Sequence, residues 1–281
     1  METQWPLVLF SILAGGGAAT LAFAGISEFL EVQKKTRLIA SIAAIVLLVV
    51  GGIASVLHLG QPANVMAAAA NIFSFSPISL ELLLLGVTTV AAIVYAVVVN
   101  GEGPASKVVG VIGLVVAVVF CYALGSSYSG IEAQTSWNSL TLVLAYWASA
   151  VAFGGFVFLA AMAAGKETGP ATRPLSLIVF LVAILQVVGF VAYGLFVGLD
   201  NLDALVFWGC AVVLGSIVPL VAVGAVAFMK SVEKPKTALL YVGLVTAFVG
   251  GIAIRTLMWA AGNGFLDAFD MALQNRGLFI F

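Results

Sequence analysis

The chain has 281 residues, of which 63% are apolar and 8% charged. A soluble domain carries about 25% charged residues, so the composition excludes an ordinary soluble enzyme. A net charge of −1 gives no electrostatic case for nucleic acid. Backbone polar groups cannot face lipid unpaired, so long apolar runs must be helices or barrel strands. Barrel strands are about ten residues long and alternate strictly. Leu38 to Leu59 is continuous and shows no alternation, which selects helices.

Eight spans follow in chain order. Helix 1 is placed at Trp5 to Glu28. It carries Ala22-Phe23-Ala24, superficially like a cleavage site, but Glu2 and not a cation precedes the run, so it reads as a retained first helix. Helix 2 is placed at Leu38 to Leu59, helix 3 at Pro77 to Asn100, and helix 4 at Lys107 to Ser127. Helix 5 covers Ser139 to Gly165, helix 6 Leu175 to Gly198, helix 7 Asp203 to Lys230, and helix 8 Thr237 to Gly262. Pro62 to Phe73 is apolar but too short to span, which suits an interfacial or re-entrant segment. The expected architecture is an all-α integral membrane bundle, one polytopic domain over residues 1–281, with no internal repeat in the sequence.

Basic residues set the orientation, because they are retained on the cytoplasmic side. Lys34, Lys35 and Arg37 fall between helices 1 and 2, and Lys107 between 3 and 4. Lys166 and Arg173 fall between 5 and 6, and Lys230, Lys234 and Lys236 between 7 and 8. The 2–3, 4–5 and 6–7 connections have none. Both termini are therefore expected on the outer side of a cell membrane that the chain crosses many times.

Ionisable residues in apolar runs are functional candidates by default. His58 is the sole histidine and closes helix 2 in Ser55-Val56-Leu57-His58-Leu59-Gly60-Gln61-Pro62, where Gly60 and Pro62 are stop signals. It reads either as a C-terminal cap suited to the helix dipole or as a proton acceptor near neutral pH. Glu81 lies one turn into helix 3, after Ser76 as candidate cap and Pro77 as first helical residue. It is either a carboxylate at the positive helix end or a proton relay. Arg255, between Ile254 and Thr256, is permanently charged and must face the bundle. It is either half of an ion pair, with Glu81 nearer in depth than Glu28, or part of a site. All five tryptophans, Trp5, Trp137, Trp147, Trp208 and Trp259, fall in outer halves or outer loops. An aromatic belt explains some of them, while their asymmetry suggests an outer aromatic pocket or docking surface. Cys121 and Cys210 lie deep in apolar runs and read as inert buried thiols. One histidine cannot supply a bis-histidine haem, and no cysteine cluster could hold iron–sulfur.

These residues resemble the membrane anchor subunit of bacterial dimethyl sulfoxide reductase, in the molybdopterin oxidoreductase anchor family. Trp5-Pro6-Leu7 is similar to that family's opening. Ser55-x-Leu57-His58-Leu59-Gly60-x-Pro62 is similar to its Ser-x-Leu-His-Leu-Gly-x-Pro segment, the most specific match. Glu81, the Tyr128 to Trp137 loop and Arg255 in the last helix fall where the family has such residues. Thr135 stands where the family usually has proline. The resemblance implies eight helices, no haem and no iron–sulfur cluster in this chain. It implies two partners, an iron–sulfur electron-transfer subunit and a molybdopterin catalytic subunit. It also implies bound menaquinol that is oxidised with His58 and Glu81 at the site, and with Arg255, Tyr128 and Trp137 as further binding residues. The chain then handles quinol electrons but does not act on the terminal substrate. A secondary transporter, and an anchor of the polysulfide or nitrite reductase type, are the alternatives. The first should show internal repeats and broken helices.

Overall fold

A computed structural model describes residues 3–58, 70–101, 105–167, 170–228 and 236–276, with side chains described as far as Gly262. Leu59, Gly60, Gln61, Pro62, Lys230 and Lys234 lie outside the described residues. So does most of the short Pro62 to Phe73 stretch, whose last residues enter a 3-10 turn, Ile72–Ser74.

Eight helices are long and apolar enough to cross a membrane, and no strand occurs among the described residues. They are α1 (Trp5–Ser27), α2 (Lys34–Leu57), α3 (Pro77–Asn100), α4 (Ala105–Ser129), α5 (Leu140–Gly165), α6 (Thr172–Val197), α7 (Leu205–Phe228) and α8 (Thr237–Arg276). The chain is a multi-pass membrane protein. Local chemistry fixes several ends. Ser76 accepts from the Ser79 N–H at 3.2 Å and Pro77 takes the first helical position. Gly198, with φ of +91°, ends α6 in a conformation that favours glycine.

Two differences from the sequence reading stand out. Helix α8 does not stop at Gly262 but runs 40 residues to Arg276. At 1.5 Å per residue that is about 60 Å, roughly twice a hydrocarbon core. A glycine costs a helix interior only about 1 kcal/mol. Here Gly262 also lies against the Trp137 ring, which a Cβ would meet at 2.7 Å. The other difference is in α7, which is wound as a π-helix over Leu205–Ile217 before becoming α-helical at Val218.

The helices pack as two sequential groups of four. In each group the first helix touches the second and fourth, and the third closes the ring: α1–α4 and α5–α8. The groups meet where α1 packs on α5. These two helices form the interior, with 83% and 78% of their most apolar stretches buried, against 22% for α3. Small residues permit this close approach. A Cβ on Gly154 would meet the Ala19 Cβ and the Gly16 carbonyl of α1. Peripheral helices instead turn Val90, Val97, Ile112, Leu181, Val188, Val221 and Val245 outward, where lipid takes the place of a protein partner.

One end of the bundle carries the N-terminus and the α2–α3, α4–α5 and α6–α7 connections. We call it the terminal end. The opposite, basic end carries the other four connections.

Candidate functional site

The terminal end holds the candidate residues, and Arg255 is the deepest of them. It is fully buried. Its Nε donates to Ser11 Oγ at 2.8 Å, and one terminal nitrogen donates to Ser149 Oγ and to the Gly251 carbonyl, each at 2.9 Å. The other terminal nitrogen reaches the Tyr146 carbonyl at 3.4 Å. The guanidinium carbon lies 4.3 Å from the centre of the Tyr146 ring, a cation–π contact. Among the described residues no carboxylate pairs with it, because the ion pair found there joins Arg37 to Glu28. Of the two readings of Arg255, the ion pair is not found among the described residues: hydroxyls, carbonyls and a ring surround the guanidinium instead. These neutral dipoles supply hydrogen bonds to a cation but no opposite charge.

Beside the guanidinium stands an aromatic cluster. Tyr128 meets Trp137 at 5.8 Å, Tyr146 at 5.5 Å and Trp259 at 6.2 Å, and Trp137 meets Trp259 edge-on at 5.0 Å. These are favourable ring geometries. Trp137 Nε1 donates to the Met258 carbonyl at 2.7 Å, which ties the α4–α5 connection to α8. The Tyr146 hydroxyl donates to Met258 Sδ at 3.0 Å. Trp259 Nε1 is buried without a partner. Of the other tryptophans, Trp5 and Trp208 are exposed and Trp147 is half-buried. The clustering of Trp137, Trp259, Tyr128 and Tyr146 was legible only as an outer-side bias.

Glu81 is buried in the first turns of α3, with the Ser127 hydroxyl of α4 beside its carboxyl. Its Oε1 has no hydrogen-bond partner. An unanswered buried polar atom costs about 1–3 kcal/mol and calls for an explanation. Tyr146 contacts the Arg255 guanidinium and packs on Tyr128, which places both rings between α4, α5 and α8 at this end.

His58 follows the last turn of α2 and is half-buried. Its Nδ1 lies 2.6 Å from the Ser55 carbonyl. A carbonyl only accepts, so Nδ1 carries the hydrogen and Nε2 is left as a basic lone pair. Among the described residues His58 and Glu81 make no hydrogen bond or ion pair with each other. The geometry thus brings Glu81, Tyr128, Trp137, Tyr146 and Arg255 together and leaves His58 at the margin, next to residues outside the described set.

Sequence reasoning passed over Ser11 and Ser149, the two hydroxyls that hold Arg255. Nothing in their local sequence marks them, since they come from α1 and α5 and meet only through packing. Cys121 is buried with its Sγ 3.4 Å from the Gly15 carbonyl, and both cysteines are free.

Eight apolar spans with charged side chains at both ends of the bundle define a polytopic membrane protein. Residues 1–260 match the family model described as "DMSO reductase anchor subunit (DmsC)", and the chain belongs to that family. It is a membrane anchor of the molybdopterin oxidoreductase class, a family whose members work with catalytic and electron-transfer subunits. No curated protein matches the chain. The match ends within α8, so the helix from Ala261 to Arg276 lies beyond the family region.

Proposed function

We propose that the terminal end oxidises menaquinol and delivers its electrons to an iron–sulfur subunit, which feeds a molybdopterin catalytic subunit. One observation carries the reading. A buried carboxyl with an unanswered oxygen, and a buried guanidinium with no carboxylate partner, occupy the same end of an anchor-family protein. Oxidising a quinol to a quinone releases two protons and two electrons. His58 Nε2 accepts one hydroxyl proton and Glu81 relays the other. The Arg255 charge, transmitted past Tyr146 and Tyr128, favours the anion formed as each proton leaves. Trp137 and Tyr128 supply flat apolar surface for a quinol ring. The electrons leave one at a time for the partner's cluster. The alternation of basic loops supports placing this end and both termini outside the cytoplasmic membrane, so protons are released outward.

The test uses the purified complex. His58→Leu is expected to lower quinol-driven turnover by about 10²- to 10⁴-fold, the usual cost of removing a general base. An artificial reductant that feeds the catalytic subunit directly should still work. Glu81→Gln should give a smaller defect, because water can substitute in a relay. Near-normal quinol oxidation by the His58→Leu complex overturns the proton-acceptor role and leaves the helix-cap reading.

A further inference from the structure

A second feature of the terminal end takes no part in that chemistry. A cleft of about 440 Å³ opens between the α4–α5 connection, the end of α6 and α8, lined by Thr135, Ser136, Phe196, Val197, Asn201 and Ala261. Its walls are held in place. The Tyr193 hydroxyl donates to the Ser136 carbonyl at 3.2 Å, and Asn201 Nδ2 donates to the Val197 carbonyl at 2.8 Å. Trp137, next to Ser136, is pinned to α8 through Met258. The cleft is therefore formed in advance, as binding sites usually are.

Its polar lining is Thr135, Ser136 and Asn201, whose hydroxyl and amide groups both donate and accept. The connections that form the rim hold Glu132, Asp200 and Asp203, all exposed, and no Lys or Arg. Asp203 is engaged in capping α7, accepting from the Val206 N–H at 2.8 Å. Glu132 and Asp200 are left as rim charges.

We propose that this cleft is the docking socket for the iron–sulfur partner, and that the inserted segment of that partner carries Lys or Arg side chains and hydrogen-bond donors. The inference rests on the anchor reading above. Charge complementarity selects the occupant: an acidic rim steers a cationic segment. Trp137 and Trp259, next in the chain to the lining residues Ser136 and Ala260, pack on Tyr128, so the socket adjoins the aromatic cluster of the proposed quinol site.

Photo-crosslinking in the assembled complex tests this. A benzoylphenylalanine placed at Thr135, an exposed lining position, is expected to crosslink to the iron–sulfur subunit. The yield should fall at least about tenfold when Glu132→Lys and Asp200→Lys are combined, since rim charges act on encounter. Ser136→Trp, which fills the cleft, should reduce copurification of that subunit to a similar degree while the chain stays in the membrane. Crosslinks to lipid, to a second copy of the chain or to the catalytic subunit alone overturn the proposal, as does unchanged yield in the charge-reversed chain. The outcome is independent of quinol chemistry. His58→Leu should leave the Thr135 crosslink intact, and a crosslinked complex that fails to oxidise quinol would refute the quinol site but not the socket.

Discussion

The two ends of the bundle answer their buried carboxylates differently, although Arg37 Nε at the basic end is itself without a hydrogen-bond partner among the described residues. At the basic end, Glu28 is 5% exposed and fully answered. The Tyr95 hydroxyl donates to Oε1 at 2.8 Å, Ser106 donates to Oε2 at 3.1 Å, and Arg37 pairs with it. Glu167, 3% exposed, takes the Gln33 N–H and the Thr36 hydroxyl, each at 3.0 Å, and so closes the N-terminus of α2. At the terminal end, among the described residues, Glu81 Oε1 and Trp259 Nε1 have no partner and Arg255 has no carboxylate. Charge that is saturated within the chain clamps helices together. The unanswered Glu81 oxygen at the terminal end is the group that the proposed quinol site uses. Composition alone hides this distinction, because both ends carry buried acids and a buried or half-buried arginine.

The sharpest way to break the comparison is to remove charge from the saturated end. Glu28→Leu leaves Arg37 facing the interior without its partner, and breaking a buried pair in this way costs about 3–5 kcal/mol. The loss should appear as a large fall in thermal midpoint and in membrane yield, with quinol turnover per surviving complex unchanged. A turnover defect with normal stability would show that the basic end is not merely structural.

The mirror experiment is Arg255→Leu. No carboxylate is orphaned by it; what remains unpaired is Ser11, Ser149 and carbonyls that can turn to other partners. Stability should fall less than in Glu28→Leu. Quinol turnover should fall by about 10²-fold, in the range for removing one electrostatic stabiliser. Loss of the assembled complex with normal activity per complex would make Arg255 a structural cation and remove it from the site.

The sequence made some of this legible and not the rest. Eight spans could be read because lipid demands continuous apolar helix, a one-dimensional signal. The cap at Ser76-Pro77 was equally local. Arg255 was recognisable as costly, but its hydroxyl partners sit 244 and 106 residues away in the chain, where no local pattern points. The same holds for Glu167 and Thr36, 131 residues apart. The π-wound stretch of α7 was not anticipated, although Pro219, which cannot donate a helix hydrogen bond, stands where it gives way to α-helix. Helix 8 was placed to end at Gly262, but α8 continues past it, with Gly262 packed against the Trp137 ring.

The smallest predicted effects compare two threonines, each replaced by a valine of similar shape. Thr36 spends its hydroxyl on the Glu167 carboxylate, and hydrogen bonds to charged groups contribute about 1.5–3 kcal/mol. Thr88 is also fully buried, yet its hydroxyl has no partner. Thr20, Thr89, Thr246 and Thr256 all return theirs to the carbonyl one turn earlier, so Thr88 is turned away from a bond that its helix could offer. Removing an unpaired donor removes its desolvation cost and sacrifices nothing. Thr36→Val should therefore lower the thermal midpoint of the complex in nanodiscs, while Thr88→Val should leave it unchanged or raise it. A fall for Thr88→Val comparable to that for Thr36→Val would mean that the Thr88 hydroxyl is answered by ordered water between α3 and its neighbours. Buried polarity outside the basic end would then be structural too, and the contrast between the two ends would lose its force.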